Sequence, residues 1–179
     1  MKNFLCLFFY FITVVCQAQT IDFSKKKDPI DGSITIQSTS VRLDPAVSKY
    51  PTMSFTLTRI DTLTVLSVLT SFQANNPPEI NIGDELIFKF TNDSILRLFF
   101  IDRNSPTCFL ANRYATIWSL QSSVLLNESD MAKIRAQDIT VIRIAAESHI
   151  TKIIKRRFQP RLKELINMYD YYLQTNSNH

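Results

Sequence analysis

From Ile34 to Phe72 apolar side chains recur at every second position. Ile34 and Ile36, then Val41 and Leu43, alternate with Thr, Gln, Ser and Arg; Met53, Phe55 and Leu57 alternate with Ser54, Thr56 and Thr58. A period of two with one polar face predicts antiparallel strands that bury one side. Asp44-Pro45 interrupts the run, and Asp61-Thr62 predicts a tight reversal into a strand whose buried side is expected to carry Leu63, Val65, Val68 and Phe72. Asn75-Asn76-Pro77-Pro78 is read as a loop, because two prolines supply no ladder donors. The clearest hairpin follows. Leu86, Phe88 and Phe90 alternate with Glu85, Ile87 and Lys89, Asn92-Asp93 suits a two-residue turn, and Ile95 to Ile101 returns. Two further strands are expected between Cys108 and Leu126, around Tyr114 to Leu120 and the single Trp118.

Beyond Leu126 the pattern changes. Asn127 is placed to cap a short helix over Glu128–Arg135, whose Glu128 and Asp130 suit its first turn. Ile139 to Ile144 reads as an apolar strand. After it Ile150, Ile154, Phe158, Leu162, Leu165, Tyr169 and Tyr172 recur every three or four residues, which predicts one long helix starting near Glu147-Ser148. Pro160 falls inside it and predicts a kink or a break. The expected fold is therefore α+β and β-rich: a curved antiparallel sheet packed against a long C-terminal helix, within one domain over 34–173. A β-sandwich with a flanking helix is the alternative.

The flanks lack this periodicity. Lys2, the apolar run Phe4 to Val15, and Cys16-Gln17-Ala18 form the pattern of a signal peptide, residues 1–18, cleaved after Ala18. The apolar run is shorter than the roughly 20 residues of a spanning helix, so export to the periplasm or medium is expected. The alternative is a lipoprotein anchored at Cys16, which would touch a membrane only peripherally; Val15 before the cysteine fits that poorly. Residues 19–33, with Lys25-Lys26-Lys27, Asp28-Pro29 and Asp31-Gly32, read as a flexible lead-in, and 174–179 as a tail. The composition is that of a globular chain: 45% hydrophobic, 20% charged, net charge +4. Removal of the leader takes Cys6 and Cys16 with it and leaves Cys108 without an intrachain partner, so the core must hold the fold unaided. Beside Phe109 and Leu110, Cys108 reads as a buried small hydrophobe; the alternative is an exposed reactive thiol.

Two segments carry a resemblance. Ile82-Gly83-Asp84-Glu85-Leu86-Ile87-Phe88-Lys89-Phe90 with Asn92-Asp93-Ser94, and Ile139 to Ile144 ahead of a basic stretch, resemble uncharacterised exported bacterial β-rich proteins with a C-terminal strand–helix module. Those proteins more often have Asp-Gly at the turn. The resemblance covers about the second half of the chain and implies a closing strand and helix, but no function.

Several chemistries are excluded. With only Gly32 and Gly83, no phosphate-cradling or dinucleotide loop can form. With only His149 and His179 there is no histidine cluster for zinc, and no Gly-x-Ser-x-Gly elbow presents a serine to His149. His149 reads instead as a polar residue near a helix start. Of the acids, Asp84 and Glu85 point to opposite sides of an extended chain, and Asp93 and Asp102 sit at opposite ends of a strand, so neither pair suits glycoside hydrolysis. No catalytic, metal or cofactor residue is assigned, and the chain is expected to be non-enzymatic.

Charge supplies the one positive sign. Lys152, Lys155, Arg156, Arg157, Arg161 and Lys163 occur without an intervening acid. At about 100° per residue, Lys152, Arg156 and Lys163 would face away from the apolar stripe. Lys152, Lys155, Arg156 and Lys163 are the expected docking residues for a protein or anionic surface partner, nucleic acid fitting poorly with export. The other reading is a solvated outer face. The first functional expectation is thus an exported interaction module of the bacterial envelope that docks through a basic helix face. The alternative is a carrier of an apolar small molecule between sheet and helix, lined by Phe88, Phe90, Trp118 and Phe158.

Overall fold

A computed structural model describes residues 20–44, 51–111 and 116–176. The leader with Cys16, Pro45, Tyr114 and His179 lie outside the described residues. The elements in chain order are β1 (Phe23–Lys27), β2 (Ile34–Ser38), β3 (Val41–Arg42), β4 (Thr52–Ile60), β5 (Leu63–Gln73), β6 (Glu85–Phe90), β7 (Ile95–Phe99), β8 (Thr107–Ala111) and β9 (Thr116–Leu126). They continue with helix α1 (Glu128–Ala136), β10 (Ile139–Ala145), β11 (His149–Ile153), a 3-10 turn (Arg156–Phe158) and helix α2 (Arg161–Asn176).

All pairings are antiparallel, as alternation requires. One sheet has seven strands in the order β1-β2-β4-β5-β9-β8, with β3 also on β4; the other has four in the order β11-β10-β6-β7. The strands curl as a half-barrel that carries the C-terminal helix, the β-rich α+β architecture expected. The sheets join where β7 runs out: Phe100 bridges Val124, and the Ile101 amide donates to the Ser123 carbonyl. Asp102 reinforces this joint by accepting from the Ser122 hydroxyl and the Ser123 amide.

The turns obey local chemistry. Asp61 and Asp93 take positive φ, 51° and 64°, at the β4–β5 and β6–β7 reversals, a conformation short polar side chains tolerate. Asn127 and Asp130 close a capping box on α1, satisfying two amides that the first turn leaves without helical partners. Pro160 stands just before α2, where a missing amide costs nothing. The buried stripe of α2 is Leu162, Leu165, Ile166 and Tyr169. It joins Phe55, Leu57, Leu66, Phe88, Phe90, Ile142 and Ile144 in one hydrophobic core. The Tyr169 hydroxyl is 3.3 Å from Thr64 Oγ1, and Phe23 packs on the Tyr169 and Tyr172 rings.

Several expectations are corrected. The long helix does not begin near Glu147. Residues 149–153 form strand β11, and the helix is the 16 residues of α2. The segment read as a lead-in supplies β1, an edge strand whose lysines are exposed. On β5 the buried side is Thr64, Leu66, Val68, Thr70 and Phe72, while Leu63 is exposed. Cys108 is exposed on the edge strand β8, not buried.

Candidate functional site

Strand pairing fixes which side chains share the outer face of the four-stranded sheet. Its inner rows are Lys152–Ile142–Phe88–Leu96 and Ile150–Ile144–Leu86–Leu98, buried except for the Lys152 stem. The outer rows therefore run Ile153–Val141–Lys89–Ile95, Thr151–Arg143–Ile87–Arg97 and His149–Ala145–Glu85–Phe99. A solvated sheet face is normally polar, whereas this one alternates cations with large apolar groups. Ile153 is 75% exposed, Phe99 57% and Ile95 54%. Immediately after β11 come Lys155, Arg156 and Arg157, all exposed; the Arg157 guanidinium lies 4.8 Å from the centre of the Phe158 ring.

The acids on this face are already engaged. Glu85 pairs with Arg97, and Lys89 Nζ is 2.7 Å from Asp93. The hydrogen bond and charge of Lys89 hold the Asp93 carboxyl below the ordinary aspartate range. Arg143 Nε donates to Thr151 Oγ1 at 3.3 Å, with no carboxylate beside it among the described residues. Glu147, exposed, lies in the β10–β11 turn. The face with its adjoining turn is thus basic and apolar at once.

The four expected docking residues do not form one helix face. Lys152 sits on β11 with its side chain turned inward and 13% exposed, its Nζ 3.5 Å from Asp44 and donating to the Pro51 carbonyl. Asp44 is 3% exposed, accepts from the Met53 amide at 3.0 Å and lies 3.5 Å from Arg42. Lys152 is therefore half of a buried ion pair that fastens β11 to the β3–β4 connection. Lys155 and Arg156 are exposed and follow β11 directly in the chain, and Lys163 lies apart on α2. The helical period misled because Ile150 and Ile154 face inward on alternate positions of an extended chain, with the paired lysine between them. Arg143, Arg97, Ile95 and Phe99 belong to the exposed face. Alternation on the hairpin could have found the last three.

The four expected cavity residues have separate places. Phe88 and Phe90 are fully buried core, the Phe88 ring edge-on to Phe55 at 6.0 Å. Trp118 is half-buried and donates from Nε1 to the Ala74 carbonyl, and Phe158 lies under Arg157. None of the four lines either of two surface grooves formed by the described residues. One groove, about 370 Å³, runs between the end of α2 and β1, β2 and β4; the other, about 340 Å³, is bordered by Arg42, Ser54 and Leu69. The acids weighed for hydrolysis serve structure: Asp84 accepts from the Asn81 amide, and Asp102 from Ser122 and Ser123. His149 lies on β11, exposed, and not at a helix start. Among the described residues no three His, Cys, Asp or Glu side chains are grouped to hold a metal, and no helix is long and apolar enough to cross a membrane.

No protein-family model, curated protein or solved structure matches the chain. Its surface chemistry alone carries the functional reading.

Proposed function

We propose that the protein is an exported, non-enzymatic module of the bacterial envelope that docks on an anionic lipid surface through the outer face of the four-stranded sheet. The observation that supports this most is the register that sets Ile153, Ile95 and Phe99 around Arg143, which no carboxylate meets among the described residues, on a sheet whose last strand runs directly into Lys155, Arg156 and Arg157. Phosphate headgroups would meet the guanidinium and ammonium groups, while the exposed apolar side chains enter the headgroup boundary. Each basic residue near an anionic leaflet contributes about 1 kcal/mol, so a handful plus the apolar contacts suffices for reversible attachment. The docking element expected from the sequence was a helix; the face proposed here is a sheet, and it keeps only Lys155 and Arg156 of the original set.

Sedimentation with phosphatidylcholine vesicles, with and without phosphatidylglycerol, tests the reading. Binding is expected with the anionic vesicles, to weaken as salt rises, and to fall at least tenfold in an Arg143→Glu, Arg156→Glu, Arg157→Glu variant. A Phe99→Ser, Ile153→Ser variant should also bind more weakly. Equal binding to neutral vesicles, or wild-type binding by the charge-reversed variant, would overturn it.

A further inference from the structure

The 370 Å³ groove lies within the roughly 300–1,000 Å³ of small-molecule sites, and its construction points to a particular ligand chemistry. Its floor is apolar: Ile34 and Ile36 from β2 and Leu173 from α2. Its rim is basic. Register places Lys25, Ile36 and Arg59 side by side across β1, β2 and β4, on the same side of the sheet as the Thr64 that meets Tyr169. The stacked rings of Phe23 and Tyr172 stand one row deeper, where Phe23 pairs across to Ser38.

Other duties for the two cations can be checked in turn. The end of α2 presents free carbonyls that a lysine or arginine often neutralises. Here neither Lys25 nor Arg59 donates to a carbonyl of α2 among the described residues; Thr175 Oγ1 and Asn176 Nδ2 donate to the Tyr171 and Tyr172 carbonyls, one turn before the free ones. Asp61, the acid bordering the groove, already accepts from the Ile34 amide at 3.1 Å. Arg59 spends its Nε on the Asp61 carbonyl, and its terminal nitrogens meet no carboxylate among the described residues. Lys25 has no ion pair among them either.

We infer that this groove binds a monomeric aliphatic carboxylate, a molecule of the fatty-acid class. Its chain lies along Ile34, Ile36 and Leu173, and its carboxylate sits between Lys25 Nζ and the Arg59 guanidinium. The inference rests on the groove alone, not on the outer sheet face, so either can fail without the other.

Isothermal titration calorimetry of the untagged protein with dodecanoate, kept below its micelle concentration, is the test. Saturable one-to-one binding is expected, with dodecanol at least tenfold weaker and acetate without effect, since the site needs both charge and chain. A Lys25→Glu, Arg59→Glu variant should lose at least tenfold in affinity. Ile34→Trp, which fills the groove from a partly exposed position and leaves both cations in place, should do the same. The charge-reversed outer-face variant should bind dodecanoate as the wild type does, and the groove variants should still sediment with anionic vesicles. Absence of saturable dodecanoate binding, equal affinity for dodecanol, or unaltered binding by both groove variants with native circular dichroism would overturn the assignment.

Discussion

At the scale of single residues, Lys152 shows how far a side chain's role can lie from its composition. As one of a basic run it invites a surface reading, yet it is the buried partner of Asp44. Removing Lys152 leaves Asp44 with Arg42 at 3.5 Å and the Met53 amide, so the loss falls short of the about 3–5 kcal/mol of a buried charge left uncompensated. Lys152→Ala is therefore expected to lower the urea unfolding free energy by about 2 kcal/mol, whereas Lys155→Ala at an exposed position should change it by less than about 0.5 kcal/mol. Equal effects would remove the distinction. Sequence reading missed this pair because its halves are far apart in the chain, and an inward lysine breaks the alternation that would have marked β11. The two threonines that face inward on β5 concealed that strand's parity in the same way. Thr64 and Thr70 are tolerable there because Tyr169 and the Thr52 carbonyl satisfy their hydroxyls. Among the exposed acids, hydrogen bonds first from Arg103 and then from Ser105 hold the Glu79 carboxyl below its ordinary value. A carboxyl lowered on folding adds stability above the unfolded carboxylate range, and that gain disappears as pH falls through the folded value. The melting temperature of Glu79→Gln should accordingly lie slightly below wild type at neutral pH, with the gap closing under acid conditions. A gap that widened on acidification would contradict the pairing.

Elements were legible where local chemistry decides them. The β6–β7 hairpin follows from strict alternation around Asn92-Asp93, and α1 from its cap, which forms as expected. Loss of an N-cap side chain costs about 1 kcal/mol, so Asn127→Ala should lower unfolding free energy by that amount. Hydrogen exchange should show the loss concentrated in the α1 amides; a uniform change would argue against a local cap. Elements were obscured where tertiary partners decide them. Strand β1 buries only Phe23, and that in part, and β8 is exposed at all five positions, so neither carries a burial rhythm. The lysines of β1 discourage pairing with another chain at that edge. Strand β8, without a charge, has only its shortness and a register shift between Cys108 and Leu110 to do so. The outer face of the four-stranded sheet was readable in part: Ile95, Arg97 and Phe99 alternate plainly. Its completion by Ile153 required knowing that β11 is a strand, and by Arg143 that β10 pairs with β6.

For the molecule as a whole, α2 closes the core that both sheets supply. Leu165 is fully buried there, and a Leu→Ala change at such a site typically costs about 2–5 kcal/mol. Leu165→Ala should thus destabilise the protein by about 3 kcal/mol, while Met168→Ala, on the exposed side of the same helix, should have little effect. Equal losses at the two positions would mean that the helix is not seated on this core. The order of the parts along the chain adds a kinetic consequence. The helix is synthesised after every strand it covers, so a nascent chain holding only the strands has a greasy interior and no stopper. Such a precursor stays loose and available to chaperones until the final turns arrive.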